Sequence, residues 1–112
     1  MRSTREYEIE VGLQRISLTP DDVTAHQALR TLSLRRKVGG GPDLGMFEKM
    51  KLAWIAARAT DHKEGMLAAE KLLAYDPGNV SRMIDLSRHA HGGGFSETAS
   101  WMDRIIRMAA GD

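Results

Sequence analysis

Apolar residues recur along this chain at the spacings that are typical of amphipathic helices. Segments of about 12–18 residues carry apolar stripes, and breaks rich in Gly, Pro and Asp separate them. This pattern predicts six helices, near residues 4–18, 20–37, 44–59, 62–75, 80–91 and 96–110. It therefore predicts an all-α fold in which helices joined by short breaks form antiparallel hairpins.

The first segment, EYEIEVGLQRISL, fits a strand as well as a helix. Tyr7, Ile9, Val11 and Leu13 alternate with polar or small residues, as in a half-buried strand. Ile9, Leu13 and Ile16 also follow the i, i+4, i+7 spacing of a helical stripe. We expect the helix, because a lone strand among five helices has no partner for its backbone hydrogen bonds.

Polar residues that cap helices stand at the expected helix starts. Thr19 precedes Pro20 and two acids, which predicts an N-cap followed by a proline in the first turn. Asp61, Asn79 and Ser96 are the N-caps predicted for the last three helices.

The segment 44–59 differs from the others, since its second half is apolar on most sides. A helix of this kind is usually buried, so the pattern indicates a central helix. The glycines just before it, at 39–43, indicate a flexible linker.

The stretch ATDHKEGMLAAEKLLAYDPGN (59–79) resembles the second helix and closing turn of a tetratricopeptide (TPR) repeat. Counting back from Pro77 places Gly65 and Leu72 at the small positions of that pattern and Ala69 at the bulky one. The residues before Pro20 and the stretch GGGFSETASWMDRIIRMAAGD resemble further second helices.

The spacing of these units departs from the family. Pro20 and Pro77 are 57 residues apart, which is not two periods of ~34 residues. One helix is therefore missing near the glycine-rich linker. The chain is either an edge segment of a larger solenoid or a compact six-helix domain related to one.

The resemblance implies a single TPR-like domain over residues 1–112, built as a right-handed solenoid fragment, and a scaffold or assembly role in protein–protein interaction. Similar proteins bind partners in a groove lined by first-helix side chains. The matching residues here are Phe47, Met50, Trp54, Arg58, Arg82, Leu86 and His89. Trp and Arg are common binding hot spots, although a buried Trp54 and Met50 would serve the core instead.

Composition limits the other classes of function. The 112 residues are 42% apolar and 28% charged, with a net charge of +1 and no cysteine. Disulfides and thiolate metal sites are excluded. There is no apolar signal segment and no apolar run of ~20 residues, so we expect a cytoplasmic protein with no membrane partner.

One basic cluster supports an alternative function, a small regulatory domain that binds nucleic acid. Its residues are Arg30, Arg35, Arg36 and Lys37. The near-zero net charge and the absence of interleaved aromatic residues favour protein or peptide partners instead.

No pattern of catalytic or cofactor-binding residues is present. The glycines at 39–45 lack the Lys-Ser/Thr pair of a phosphate-binding loop. His89 and His91 point to different sides of a helix and lack further ligands at metal-site spacing. We therefore expect a protein that is not an enzyme and that binds no metal or cofactor.

The last segment has apolar residues on two sides, and only one side can pack on the preceding helix. The second side, formed by Trp101, Ile105 and Met108, predicts self-association as a homodimer. Three alternatives remain: a missing downstream repeat covers this side, a different partner covers it, or the helix tilts and buries both sides within one chain.

Overall fold

The computed structural model describes residues 4–111, and over this range it contains six helices and no strand. They are α1 (Thr4–Leu18), α2 (Val23–Gly39), α3 (Met46–Arg58), α4 (His62–Tyr75), α5 (Val80–Gly92) and α6 (Ser96–Ala109). The prediction of an all-α fold is confirmed, and the helix ends lie within a few residues of those predicted. Among these six helices, none is long and apolar enough to cross a membrane.

The ambiguous first segment is helical. Ile9 and Ile16 are fully buried, while Tyr7 and Val11 are 62% and 45% exposed. The buried residues are thus the ones on the helical stripe, and the alternating residues of the strand pattern are divided between core and solvent.

Local capping explains two of the helix starts. The Asp61 carboxylate accepts a hydrogen bond from the backbone N–H of Glu64 at 3.1 Å. The Asn79 side-chain oxygen accepts one from the backbone N–H of Arg82 at 3.2 Å. Both predicted caps are confirmed, and each satisfies a donor that the helix itself leaves free.

Two other predicted caps are wrong. Asp22 caps α2 instead of Thr19, and its carboxylate accepts from the backbone N–H of Thr24 at 3.0 Å. The first turn of α6 is capped by Asp21, not by Ser96: the Asp21 carboxylate accepts from two of its backbone N–H groups, at 2.9 and 3.4 Å. Asp21 lies between α1 and α2, so this cap joins distant parts of the chain.

The central helix is α4, which packs against α1, α2, α3 and α5. Eight of its residues are buried, whereas Ala56 is the one buried residue of α3. The expectation that α3 is central is therefore wrong. Part of the apolar surface of α3 faces solvent, so apolar residues on most sides of this helix do not indicate burial.

Helix α2 returns across α4 and reaches α6. The Ser33 hydroxyl lies 2.8 Å from the carbonyl oxygen of Leu73 and 3.0 Å from that of Ala74, both on α4. The His26 ring lies against Trp101 of α6, with 5.8 Å between the ring centroids. These contacts cover one side of α4 and α6, while α3 and α5 lie elsewhere around α4.

The glycine-rich linker runs over residues 40–45, because α2 continues through Gly39 and α3 begins only at Met46. Gly40 has a φ of 77°, a left-handed backbone that favours glycine over residues with a side chain. Arg36 donates a hydrogen bond to the Pro42 carbonyl oxygen and stacks over the Tyr75 ring at 4.4 Å. The start of the linker is thereby attached to α2 and α4.

Candidate protein-binding face

The outer side of α3 carries a row of exposed apolar side chains. Phe47, Met50 and Trp54 are 89%, 60% and 64% exposed, and they follow one another at the i, i+3, i+7 spacing of one helix face. Arg58, one turn further along, is also exposed. Exposed apolar residues clustered in this way are typical of interaction sites, whereas single ones are common on any protein.

Two of the three residues that α5 was predicted to contribute to the groove are not at the surface. Leu86 and His89 are fully buried. Arg82 is partly buried, and its Nε lies 3.3 Å from the Asp85 carboxylate. Leu86 and His89 therefore belong to the packing of α5, whereas Arg82 lines a cavity that Lys49 and Ala53 of α3 also line.

His89 connects three helices. Its Nε2–H donates to the carbonyl oxygen of Ala56 at 2.7 Å, so its Nδ1 is the acceptor for the Nδ1–H of His62 at 3.0 Å. Burial lowers the pKa of His89, against the opposing effect of the Ala56 carbonyl. In the neutral ring that burial favours, the proton on Nε2 leaves Nδ1 free to accept from His62.

Beside the exposed row of α3 lies an apolar groove that sequence reasoning missed. Helices α1 and α3 both pack on α4 but not on each other, and the gap between them forms a groove of about 330 Å³. Its apolar surface comes from Leu13, Leu52, Ile55, Leu67 and Ala68. The one sequence signal for it was the apolar character of α3 on several sides.

Lys71 links the two walls of this groove. Its Nζ lies 3.3 Å from Glu10 on α1 and 3.4 Å from Glu48 on α3. Burial lowers the pKa of Lys71, but the two carboxylates outweigh that effect, so its pKa is raised and the charge is retained. Glu64 lines the same groove, and the Lys63 ammonium group lies at its edge, 3.1 Å from a carbonyl oxygen of α1.

The predicted self-association face on α6 is mostly covered. Trp101 is 6% exposed and Ile105 is partly buried, which leaves Met108 at 65%. The second apolar side of α6 packs under α2 in the same chain, where the His26 ring lies against Trp101. Trp101 and Ile105 therefore agree with the alternative in which α6 buries both apolar sides within one chain, and self-association stays a prediction.

The basic cluster is divided between surface and interior. Arg36 is 6% exposed and stacks over the Tyr75 ring. Arg30 donates to the carbonyl oxygen of Pro77 at 3.1 Å. Arg35 and Lys37 remain exposed. Two of the four cations thus hold the fold together, which weakens the case for a phosphate-binding surface.

His26 forms a buried polar contact with Glu70. Its Nε2 lies 2.7 Å from the Pro20 carbonyl oxygen and its Nδ1 lies 2.9 Å from the Glu70 carboxylate, so both ring nitrogens donate. Burial lowers the pKa of His26, but the hydrogen bond and charge of Glu70 outweigh it, and the net shift is upward. The pair fixes α2 to α4.

The remaining histidine has a surface partner: His91 Nε2 lies 2.9 Å from the Asp103 carboxylate. Across residues 4–111, no three His, Cys, Asp or Glu side chains are grouped to hold a metal ion.

Comparisons with known proteins find no counterpart for this chain. No family model, no curated protein and no solved structure matches it. The TPR-like relationship and the right-handed stack accordingly stay predictions.

Proposed function

We propose that this chain is a non-enzymatic protein–protein interaction or assembly module whose binding face is the outer side of α3. The observation that carries this proposal is the exposed row of Phe47, Met50 and Trp54, which share one face of α3. Aromatic and methionine side chains are enriched in protein interfaces, and their exposure in a free chain costs free energy that a partner recovers.

The support is energetic as well as compositional. Fully burying a large apolar side chain contributes about 1.5–3 kcal/mol, and each of these three side chains is at least 60% exposed. Covering the row therefore contributes several kcal/mol toward association before its costs. Arg58 at the end of the row adds a cation beside the tryptophan, a combination that is common in hot spots.

The resemblance to TPR proteins agrees with this role. We propose that α3–α6 are TPR-like hairpins, with Gly65 at the small position where His89 packs closely against α4. The nucleic-acid alternative has no comparable support, because Arg30 and Arg36 are engaged within the chain. The expected cytoplasmic location stays a prediction.

Photo-crosslinking tests the proposed face. A benzophenone amino acid replaces Trp54 in cells that produce the protein, and Thr31, an exposed residue on α2, carries the same probe as the control. We expect a covalent protein adduct from position 54 that is absent from position 31 and is lost when Phe47→Glu is added. Equal labelling from both positions would contradict the proposal.

A further inference from the structure

The exposed row and the groove are adjacent parts of one surface. We call Phe47, Met50 and Trp54 the ridge, and the apolar surface between α1 and α3 the groove. Ile55 and Glu64 line both the groove and the shallow depression that holds Trp54 and Arg58. The projecting ridge therefore lies directly beside the groove.

A surface of this kind is complementary to itself. In a two-fold dimer the same patch is used by both copies. An axis parallel to α3, placed between ridge and groove, exchanges the two elements, so that each ridge enters the groove of the other copy. An axis perpendicular to α3 sets ridge against ridge and leaves both grooves empty.

The charges around the patch favour the first arrangement. Lys51 and Arg58 border the ridge, are exposed and form no ion pair within residues 4–111. The groove carries a small excess of negative charge, because three carboxylates outnumber two ammonium groups: Glu10, Glu48 and Glu64 against Lys63 and Lys71.

The parallel axis also places opposite charges of the two copies at the same position along α3. An axis parallel to α3 preserves position along the helix, and Arg58 and Glu64 line the same depression. Arg58 therefore approaches Glu64 of the partner subunit. The perpendicular axis instead brings Lys51 and Arg58 of one copy close to the same residues of the other copy, and these like charges repel each other.

We infer that the partner of this face is a second copy of the chain, bound through a parallel two-fold contact in which each ridge occupies the other copy's groove. The inference rests on the proposed function, since it names the partner of the same face. In this dimer the contact between the two copies is formed by α3 and not by α6, where the sequence predicted it.

Sedimentation velocity over a concentration series tests the dimer by charge exchange. The wild type should be a dimer that dissociates on dilution. Arg58→Glu and Glu64→Arg should each weaken dimerisation by about tenfold or more, because each sets like charges across the contact. The double variant Arg58→Glu/Glu64→Arg should recover most of the wild-type affinity.

Matched controls come from α6. Arg107 lies in its last turn, as Arg58 does in α3, and Glu97 lies in its first turn, as Glu64 does in α4. Arg107→Glu and Glu97→Arg should leave the dimer unchanged, and thermal unfolding followed by circular dichroism verifies that every variant folds.

Three results would overturn the inference: a monomeric wild type at all concentrations, failure of the double variant to recover affinity while folded, or dissociation by the α6 variants alone. A monomer whose position 54 still crosslinks to another protein removes the dimer and leaves the proposed function standing. A monomer with no adduct removes both.

Discussion

Replacing Gly65 with alanine should destabilise the protein, although alanine is the better helix former. A Cβ atom at Gly65 would lie 2.3 Å from the imidazole ring of His89. The ring has little freedom to move, because it is buried and hydrogen-bonded to Ala56 at 2.7 Å and to His62 at 3.0 Å.

A gain in helix propensity and a cost in packing contribute to the free energy of unfolding of Gly65→Ala with opposite signs. The change from glycine to alanine inside a helix gains about 1 kcal/mol. Overpacking costs about 1–3 kcal/mol, and displacing the ring from its carbonyl partner costs about 0.5–1.5 kcal/mol more. The free energy of unfolding should therefore fall by about 0.5–3.5 kcal/mol.

Urea denaturation followed by circular dichroism measures this change, provided that the m-value stays constant. Gly12→Ala is the matched control, because Gly12 is also in the middle of a helix. Its Cβ would lie 3.2 Å from Cδ1 of Leu29, the end of a flexible side chain. We expect a change of no more than about 1 kcal/mol there, the scale of the helix-propensity gain.

The His89→Ala background isolates the packing contribution. The Ala56 carbonyl keeps a donor there, because Arg88 also lies 3.0 Å from it. With the ring removed, Gly65→Ala should become stabilising by up to about 1 kcal/mol. A stabilising effect in the wild type, or an equal cost in both backgrounds, would refute this account of Gly65.

The two tryptophans should respond in opposite ways to truncation: Trp101→Ala should lower the free energy of unfolding by about 3–5 kcal/mol, whereas Trp54→Ala should change it by no more than about 0.5 kcal/mol when measured on the monomer. Similar losses at both positions would contradict the assigned burial. An NMR titration of the imidazole protons should find the pKa of His26 above 6.5 and that of His89 below it. The sign for stability follows from linkage: His26 stabilises the fold fully below pH ~6.5 and loses that contribution as the pH rises through its raised pKa, whereas His89 destabilises as the pH falls below ~6.5 toward its lowered pKa. Glu70→Gln should bring the pKa of His26 down, and an unchanged value would show that Glu70 does not cause the shift.

Much of the helical structure followed from the sequence, because helix formation is governed by nearby residues. The stripe of Ile9, Leu13 and Ile16 identified α1, and Asp61 and Asn79 marked the starts of α4 and α5. Each of these signals acts within a turn or two of the helix that it specifies. The cap of α6 was missed because Asp21 reaches it from 76 and 77 residues away in the chain.

The candidate site was predicted in part. The i, i+3, i+7 row of Phe47, Met50 and Trp54 is readable from the sequence, and the structure places it at the surface. Leu86 and His89 fit the same repeat pattern, yet they are buried because α5 turns that face toward α3 and α4. The groove between α1 and α3 has no local signature, since it exists only where two helices pack on α4 without touching each other.

Trp54 and Trp101 show most directly what the sequence determined and what tertiary structure decided. Each tryptophan lies on an amphipathic helix, and the sequence determined those helices and the faces on which the two residues lie. The path of α2 then covers Trp101, and no helix of the described chain covers Trp54 in the same way. The physical reason is that an apolar stripe specifies a face that favours burial, while the element that covers it is set by contacts between residues far apart in the chain.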